Sequence, residues 1–79
     1  MLALGDISAA RLLYERAVSL GSARAATTLG KTFDPAFLAS ILVSGLAPNR
    51  AAAASWYRKG AELGDTEAAD RLAGLTAAQ

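Results

Sequence analysis

The chain nearly repeats itself, because a shift of 43 residues lays Ala9 to Leu29 over Ala52 to Leu72. Eight of the 21 aligned positions are identical, and they include a tyrosine, a Leu-Gly pair and an Ala-Ala pair in each copy. An internal period of about 20 to 50 residues is typical of helical repeat arrays, in which each unit buries its apolar face against a neighbour. The sequence therefore predicts two similar units that pack on each other.

The first copy begins with an amphipathic helix from Ile7 to Leu20. Apolar residues recur in it at spacings of three and four, which places them on one helical face; they are Ala10, Leu13, Tyr14, Ala17, Val18 and Leu20. The polar residues expected opposite are Arg11, Glu15, Arg16 and Ser19. Asp6 is a suitable N-cap, and Gly21 can take the left-handed conformation that ends a helix. A second helix, reaching Thr32, then returns antiparallel as a hairpin over residues 7–32 and buries Ala25, Ala26 and Leu29.

A linking helix is predicted over residues 35–44. Asp34 and Pro35 form a typical N-cap and first helical residue, and Gly45 marks the stop. Its apolar stripe consists of Phe37, Leu38, Ile41 and Leu42. The segment separates the first hairpin from its second copy.

The second hairpin is predicted over residues 50–75. Asn49 caps a helix from Arg50 to Leu63, and Gly64-Asp65 stops it and caps the last helix. The residues expected to be buried are Ala53, Trp56, Tyr57, Gly60 and Ala61 in the first helix and Ala68, Ala69 and Leu72 in the second. We therefore expect a single all-α domain over residues 1–79, in which antiparallel helical hairpins stack as a short α-α solenoid.

The amino-acid composition argues against catalysis. The chain has no cysteine and no histidine, which removes thiol nucleophiles, the usual zinc ligands and the commonest general base. Its seven carboxylates are explained as caps or surface charges, and its glycines do not form a phosphate-binding run. We expect no enzyme activity, no cofactor and no metal.

Net charge and hydropathy limit the classes of partner that the sequence predicts. Eight basic and seven acidic residues give a net charge of +1, well below the positive charge of a typical nucleic-acid binder. No apolar run approaches the length of about 18 residues that a transmembrane helix needs, and the opening residues lack the features of a signal peptide. The sequence predicts no membrane span and leaves the compartment open.

The run Ala53-Ala54-Ser55-Trp56-Tyr57-Arg58-Lys59-Gly60-Ala61-Glu62-Leu63-Gly64-Asp65-Thr66-Glu67-Ala68 resembles the Sel-one-like repeat, a relative of the tetratricopeptide repeat. Ser8 to Leu29 resembles a degenerate copy, with Leu13-Tyr14 in place of Trp-Tyr and Ser22 in place of the aspartate. The extra segment from Lys31 to Asn49 departs from the short turn that usually joins such repeats.

The resemblance implies a non-catalytic adaptor or scaffold, often bacterial, that organises protein complexes without a cofactor. Met1 to Asp6 resembles the end of an earlier repeat, since its Leu-Gly-Asp matches residues 63–65. The chain is therefore expected to be a fragment of a longer protein. Its exposed N-terminal face could pair end to end with another copy.

Five residues are candidates for contact with a partner: Arg11, Leu12, Glu15, Ser55 and Arg58. The first helix of each repeat usually lines the concave side of a solenoid, where Arg11, Glu15, Ser55 and Arg58 are expected. Leu12 lies off the apolar face of its helix and is expected to contact either a partner or, as the favoured interpretation, an upstream repeat. Three charge pairs at i,i+4 are expected on helix surfaces: Arg11 with Glu15, Arg58 with Glu62 and Glu67 with Arg71. The aromatic residues Trp56 and Tyr57 are interpreted as core.

Three functions remain open from the sequence. The first is a protein-interaction module that offers a helical groove to a peptide or a protein. The second is a structural C-terminal cap of a larger protein, favoured by a polar last helix. The third is nucleic-acid binding through six arginines, although their scatter along the chain and the balancing acids argue against it.

Overall fold

The computed structural model describes residues 7–41 and 47–77, and these residues form five α-helices and no strand. The helices are α1 (Ile7–Ser19), α2 (Ala23–Lys31), α3 (Pro35–Ser40), α4 (Arg50–Glu62) and α5 (Thr66–Ala77). The all-helical prediction is confirmed. Asp6, Leu42 and Gly45, to which the sequence assigned a cap, an apolar contact and a helix stop, lie outside the described residues.

The two predicted copies fold into helix pairs whose first residues match, although α5 ends three residues past the equivalent of the α2 end. Helices α1 and α4 are both 13 residues long, and their first and last residues differ by the same 43 positions as the sequence repeat. Helices α2 and α5 begin at Ala23 and Thr66, which are again 43 residues apart. The repeat in sequence is therefore a repeat in secondary structure.

The predicted helix boundaries have local physical causes. Gly21 and Gly64 adopt φ values of +97° and +106°, in the left-handed region where a side chain would be strained. The side chains of Ser22, Asp34 and Asn49 accept backbone N–H groups in the first turns of α2, α3 and α4. These contacts satisfy amides that have no partner within the helix.

The linking helix is shorter than predicted. It ends at Ser40, four residues before the predicted end at residue 44. The Ser40 hydroxyl donates to the Phe37 carbonyl oxygen at 2.7 Å, and the Ile41 amide also bonds to that oxygen. Serine side chains that bond to the backbone in this way compete with helix continuation. Ile41 lies just past the helix and is 48% exposed, so it does not extend the predicted apolar stripe.

Two apolar clusters form the core. The first consists of Val18, Ala25, Ala26 and Leu29, with Tyr14, Ala17 and Trp56 packed against it. The second consists of Ala53, Tyr57, Ala68 and Leu75, with Phe33, Ala54, Ala61 and Leu72 packed against it. Trp56 therefore joins α4 to the core of the first hairpin, and α2 packs more extensively on α4 than on α1.

Three residues predicted to be buried are exposed. Leu13 is 71% exposed and Leu20 is 83% exposed, although the sequence placed both on the packed face of α1. At 100° per residue, Leu13 lies about 120° and Leu20 about 140° from the midline between Tyr14 and Val18. Ala69 is also exposed, whereas its repeat equivalent Ala26 is buried in the cluster against which Trp56 packs. The predicted burial of Ala25, Ala26, Leu29, Ala53, Tyr57, Gly60 and Ala68 is confirmed.

Candidate functional site

Four of the five candidate contact residues occupy equivalent positions on α1 and α4. Leu12 and Ser55 are 43 residues apart, and so are Glu15 and Arg58. All four side chains are exposed, and Leu12 is 66% exposed. We call these four residues the outer face. On each helix the outer face lies away from the residues that pack into the core, so it is accessible to a partner.

The outer face has a mixed chemical character. Leu12 on α1 corresponds to Ser55 on α4, and the acidic Glu15 corresponds to the basic Arg58. None of the four is joined to another by an ion pair or side-chain hydrogen bond in the described part of the chain. The face thus offers an apolar residue and a negative charge on α1 and a positive charge on α4.

Arg11, the fifth candidate, performs a structural role. Its Nε donates to Thr32 Oγ1 at 3.0 Å and its Nη2 donates to the Thr32 carbonyl oxygen at 2.8 Å. The guanidinium also stacks 3.9 Å from the centroid of the Phe33 ring. Arg11 therefore ties α1 to the end of α2. The prediction that it lies on the solvent side and pairs with Glu15 is wrong.

Only one of the three predicted charge pairs forms in the described residues. Glu67 Oε2 lies 2.8 Å from Arg71 Nε on the same helix and 2.9 Å from Lys31 Nζ on α2. These two cations lower the pKa of Glu67, with Lys31 contributing most, and the bond to Glu67 raises the pKa of Arg71. Arg58 and Glu62 do not pair in this part of the chain, and the Lys31–Glu67 contact between hairpins was not predicted.

The most buried polar contact joins Tyr57 to Asp34. The Tyr57 hydroxyl donates to Asp34 Oδ2 at 2.7 Å, and the Asp34 Oδ1 accepts the Ala36 amide at 2.9 Å. Tyr57 is fully buried and Asp34 is 4% exposed. Burial, followed by the hydrogen bond to Asp34, raises the pKa of Tyr57 well above its ordinary value of about 10. The hydroxyl stays neutral and serves as a fixed donor.

A second interhelical contact involves Thr27, which is 2% exposed. Its hydroxyl donates to Asp65 Oδ2 at 2.5 Å, while Asp65 Oδ1 accepts the Glu67 amide at 3.1 Å. Asp34 and Asp65 therefore act alike: each carboxylate caps a helix with one oxygen and accepts a hydroxyl from another helix with the other. Both groups are fully engaged in structural bonds.

A shallow pocket of about 250 Å³ opens beside this network. Seven residues of α3, α4, α5 and the α3 cap line it: Asp34, Pro35, Ala36, Arg50, Arg71, Gly74 and Leu75. Arg50 Nη1 donates to the Leu75 carbonyl oxygen at 3.4 Å, and Arg71 is held by Glu67. The charged groups at the pocket are thus already bonded within the protein.

Within residues 7–41 and 47–77, no group of three or more carboxylates is arranged to hold a metal ion. No helix in the same ranges is long and apolar enough to cross a membrane. No protein-family model matches the chain, and comparison with curated proteins and with solved structures finds no significant match.

The sequence did not reveal the Tyr57–Asp34, Thr27–Asp65 and Lys31–Glu67 contacts. Their partners are separated by 23, 38 and 36 residues, so no local spacing brings them together. The available signal was indirect, because Asp34 and Asp65 both precede helices and a capping carboxylate has a second oxygen free for another donor.

Proposed function

We propose that this protein is a non-catalytic protein-interaction module of the helical-repeat type, in which the outer face contacts a partner protein or peptide. The exposure of Leu12 is the observation that carries this proposal. A leucine on the side of α1 away from the core gains no stability from its position there. Covering it with a partner would remove apolar surface from water, which is the main source of binding energy.

The repeat relationship supports a shared surface on both hairpins. The equivalent positions of Leu12 with Ser55 and of Glu15 with Arg58 would place two similar helix faces along one side of a short α-α solenoid. Glu15 and Arg58 carry opposite charges, so a partner with a complementary basic and acidic residue would be oriented along the pair.

A module without chemistry of its own fits the state of the buried polar groups. Thr27 and Asp34 are the buried polar residues of the described chain, and both are hydrogen-bonded. Catalytic groups are commonly held ready to exchange a proton or attack a substrate. The Tyr57–Asp34 contact instead holds the hydroxyl proton in place far above neutral pH.

Affinity capture with matched variants tests the proposal. The chain is immobilised beside Leu12→Ser and Arg58→Ala, and each is exposed to an extract of cells that make the protein, with and without nuclease treatment. Leu12→Ser introduces at position 12 the residue that occupies the equivalent position 55. Arg24→Ala is the control, because Arg24 is an exposed arginine on α2 outside the outer face.

The proposal predicts a specific protein that the wild type and Arg24→Ala retain and that both outer-face variants lose. Capture that disappears on nuclease treatment would favour nucleic-acid binding instead. Capture of nothing specific, or of the same proteins by all four chains, would contradict the outer face and favour a structural cap.

A further inference from the structure

Helices α1 and α5 carry exposed residues whose repeat equivalents are packed where the two hairpins meet. Trp56 of α4 packs against the first cluster, whose members are Val18, Ala25, Ala26 and Leu29. The residue 43 positions before Trp56 is Leu13, which is 71% exposed. The same helix position is therefore packed in the second hairpin and uncovered in the first. We call the Leu13 side of α1 the head.

The surface that receives Trp56 has a counterpart that is exposed only in part, because Ala68 is buried and Ala61 and Leu72 pack against the second cluster. A shift of 43 residues from the first cluster gives Ala61, Ala68, Ala69 and Leu72, and three of these four positions are identical to their equivalents. Ala26 is fully buried, whereas its equivalent Ala69 is exposed. We call the Ala69 and Leu72 side of α5 the tail. The chain thus carries, on α1 and α5, both halves of the contact that joins its own hairpins.

We propose that a second copy of this chain docks its head on the tail of the first, and so continues the packing of α4 on α2. This occupant is favoured by continuity with the interface inside the chain, because head and tail are the repeat equivalents of two surfaces that already fit together. The contact is heterologous, so it leaves a free head and a free tail and can add further copies.

One polar contact of the internal interface has a counterpart with its roles exchanged. Thr27 donates its hydroxyl to Asp65 between the hairpins. The equivalents of these residues are Asp70 and Ser22. A docked copy would therefore bring the Ser22 hydroxyl to the Asp70 carboxylate, which again gives one donor and one acceptor. The equivalents of Lys31 and Glu67 are Gly74 and Arg24. The ion pair would therefore be absent between copies, and no two like charges would face each other at this position.

The contact between copies is weaker than the internal one. A Cβ on Gly30 would collide with the Tyr57 ring, and a Cβ on Gly60 would lie 2.9 Å from Thr27 Oγ1. Their equivalents are Ala73 and Ala17, which both carry a Cβ. The helices of two copies must then lie farther apart than α2 and α4. Association is expected at high protein concentration, because looser packing contributes less dispersion energy.

Sedimentation equilibrium tests the proposal, at protein concentrations from about 10 µM to about 1 mM, the range of weak specific complexes. The wild type is compared with Leu13→Arg, which blocks the head, and Ala69→Arg, which blocks the tail. Leu12→Arg is the matched control, since Leu12 is 66% exposed but lies on the outer face. Circular dichroism verifies that every chain keeps its helices.

We expect the weight-average mass of the wild type and of Leu12→Arg to rise with concentration beyond that of a dimer. Each blocked variant should remain a monomer. An equal mixture of the two blocked variants should form dimers and nothing larger, because one chain supplies an intact head and the other an intact tail.

Three results would overturn the proposal. The wild type could stay monomeric over the whole concentration range, Leu12→Arg could lose as much association as the blocked variants, or the mixture of the two blocked variants could remain monomeric. A symmetric dimer through the head would appear as association that Ala69→Arg retains, and it would also overturn the head-to-tail contact. The proposal uses the head and the tail and not the outer face. Its failure would therefore leave the capture experiment and the proposed function unaffected.

Discussion

Tyr57 donates its hydroxyl to Asp34 Oδ2 at 2.7 Å, and Asp34 simultaneously caps α3 through its other oxygen. One carboxylate therefore fixes the start of the linking helix and ties it to α4. Phe33 reinforces the junction, because its carbonyl oxygen accepts the Asn49 amide at 2.8 Å just before α4 begins. The linking segment is thus held at both ends to the hairpins that it separates.

Replacing Tyr57 with phenylalanine should reduce the free energy of unfolding by about 1.5 to 3 kcal/mol. This is the usual range for a hydrogen bond to a charged group, and the buried Asp34 oxygen would lose its donor. Denaturant titration followed by circular dichroism measures the change. Tyr14→Phe is the control, since the Tyr14 hydroxyl has no hydrogen-bond partner in the described chain, and it should change stability little. Equal losses in the two variants would contradict this role of the Tyr57 hydroxyl.

The contribution of Tyr57 to the free energy of unfolding should decrease at alkaline pH. Its pKa is raised in the folded protein, so the folded state holds the proton more tightly than the unfolded chain does. The resulting stabilisation is complete below the unfolded value of about 10 and is lost as the pH rises above it. Denaturant titrations between about pH 8 and pH 11 should show the difference between wild type and Tyr57→Phe shrinking above pH 10. A constant difference would show that the tyrosine titrates alike in both states.

Gly30→Ala should destabilise the protein, because the added methyl group would collide with the Tyr57 ring. Overpacking of this kind costs about 1 to 3 kcal/mol. Gly74→Ala is the matched control in α5, where an added Cβ meets nothing within 4 Å. Alanine has the higher helix propensity, so this variant should be more stable by about 0.5 to 1 kcal/mol. In thermal unfolding, Gly30→Ala should lower the Tm and Gly74→Ala should raise it. A shift of both in the same direction would contradict the close approach of α2 to α4.

Glu67→Gln should cause a small loss of stability at neutral pH, because Glu67 contacts both Lys31 and Arg71 near the surface. Exposed pairs contribute at most about 1 kcal/mol. The pKa of Glu67 is lowered in the folded state, so its contribution is present above the unfolded value of about 4.3 and is lost as the pH falls through the lowered value. Denaturant titrations at pH 7 and at about pH 2 should show the difference from wild type disappearing. Glu62→Gln is the control at pH 7, because Glu62 forms no ion pair in the described part of the chain, and it should change stability less than Glu67→Gln does.

Local signals predicted the five helices and most of their ends, but not the end of α3. Gly21, Gly64 and the capping side chains act within a few residues of themselves, so the sequence specifies them directly. The burial of Leu13 and Ala69 was mispredicted because it depends on which neighbours are present, and a helical period does not supply that information. Arg11 was misplaced for a related reason, since its partners Thr32 and Phe33 are brought to it by the turn at Gly21.

The candidate site also has a part that local sequence signals predict and a part that depends on tertiary contacts. Residues of the outer face follow from the repeat and the helical period, because exposure on α1 and α4 is set by position relative to the packed face. The pocket between Asp34, Arg50 and Arg71 could not be predicted, since three separate helices supply its lining. The pocket lies where α3, α4 and α5 meet, and the Tyr57–Asp34 bond joins α4 to the start of α3 beside it.

Site-specific photo-crosslinking in cells that make this protein tests the outer face most directly. A photoreactive amino acid is placed at position 12, at its repeat equivalent 55, or at the exposed control position 24, and the adducts are identified by mass spectrometry. We predict that positions 12 and 55 crosslink to the same protein and that position 24 does not. No adduct from positions 12 and 55, or the same adduct from all three positions, would contradict the outer face as the binding surface.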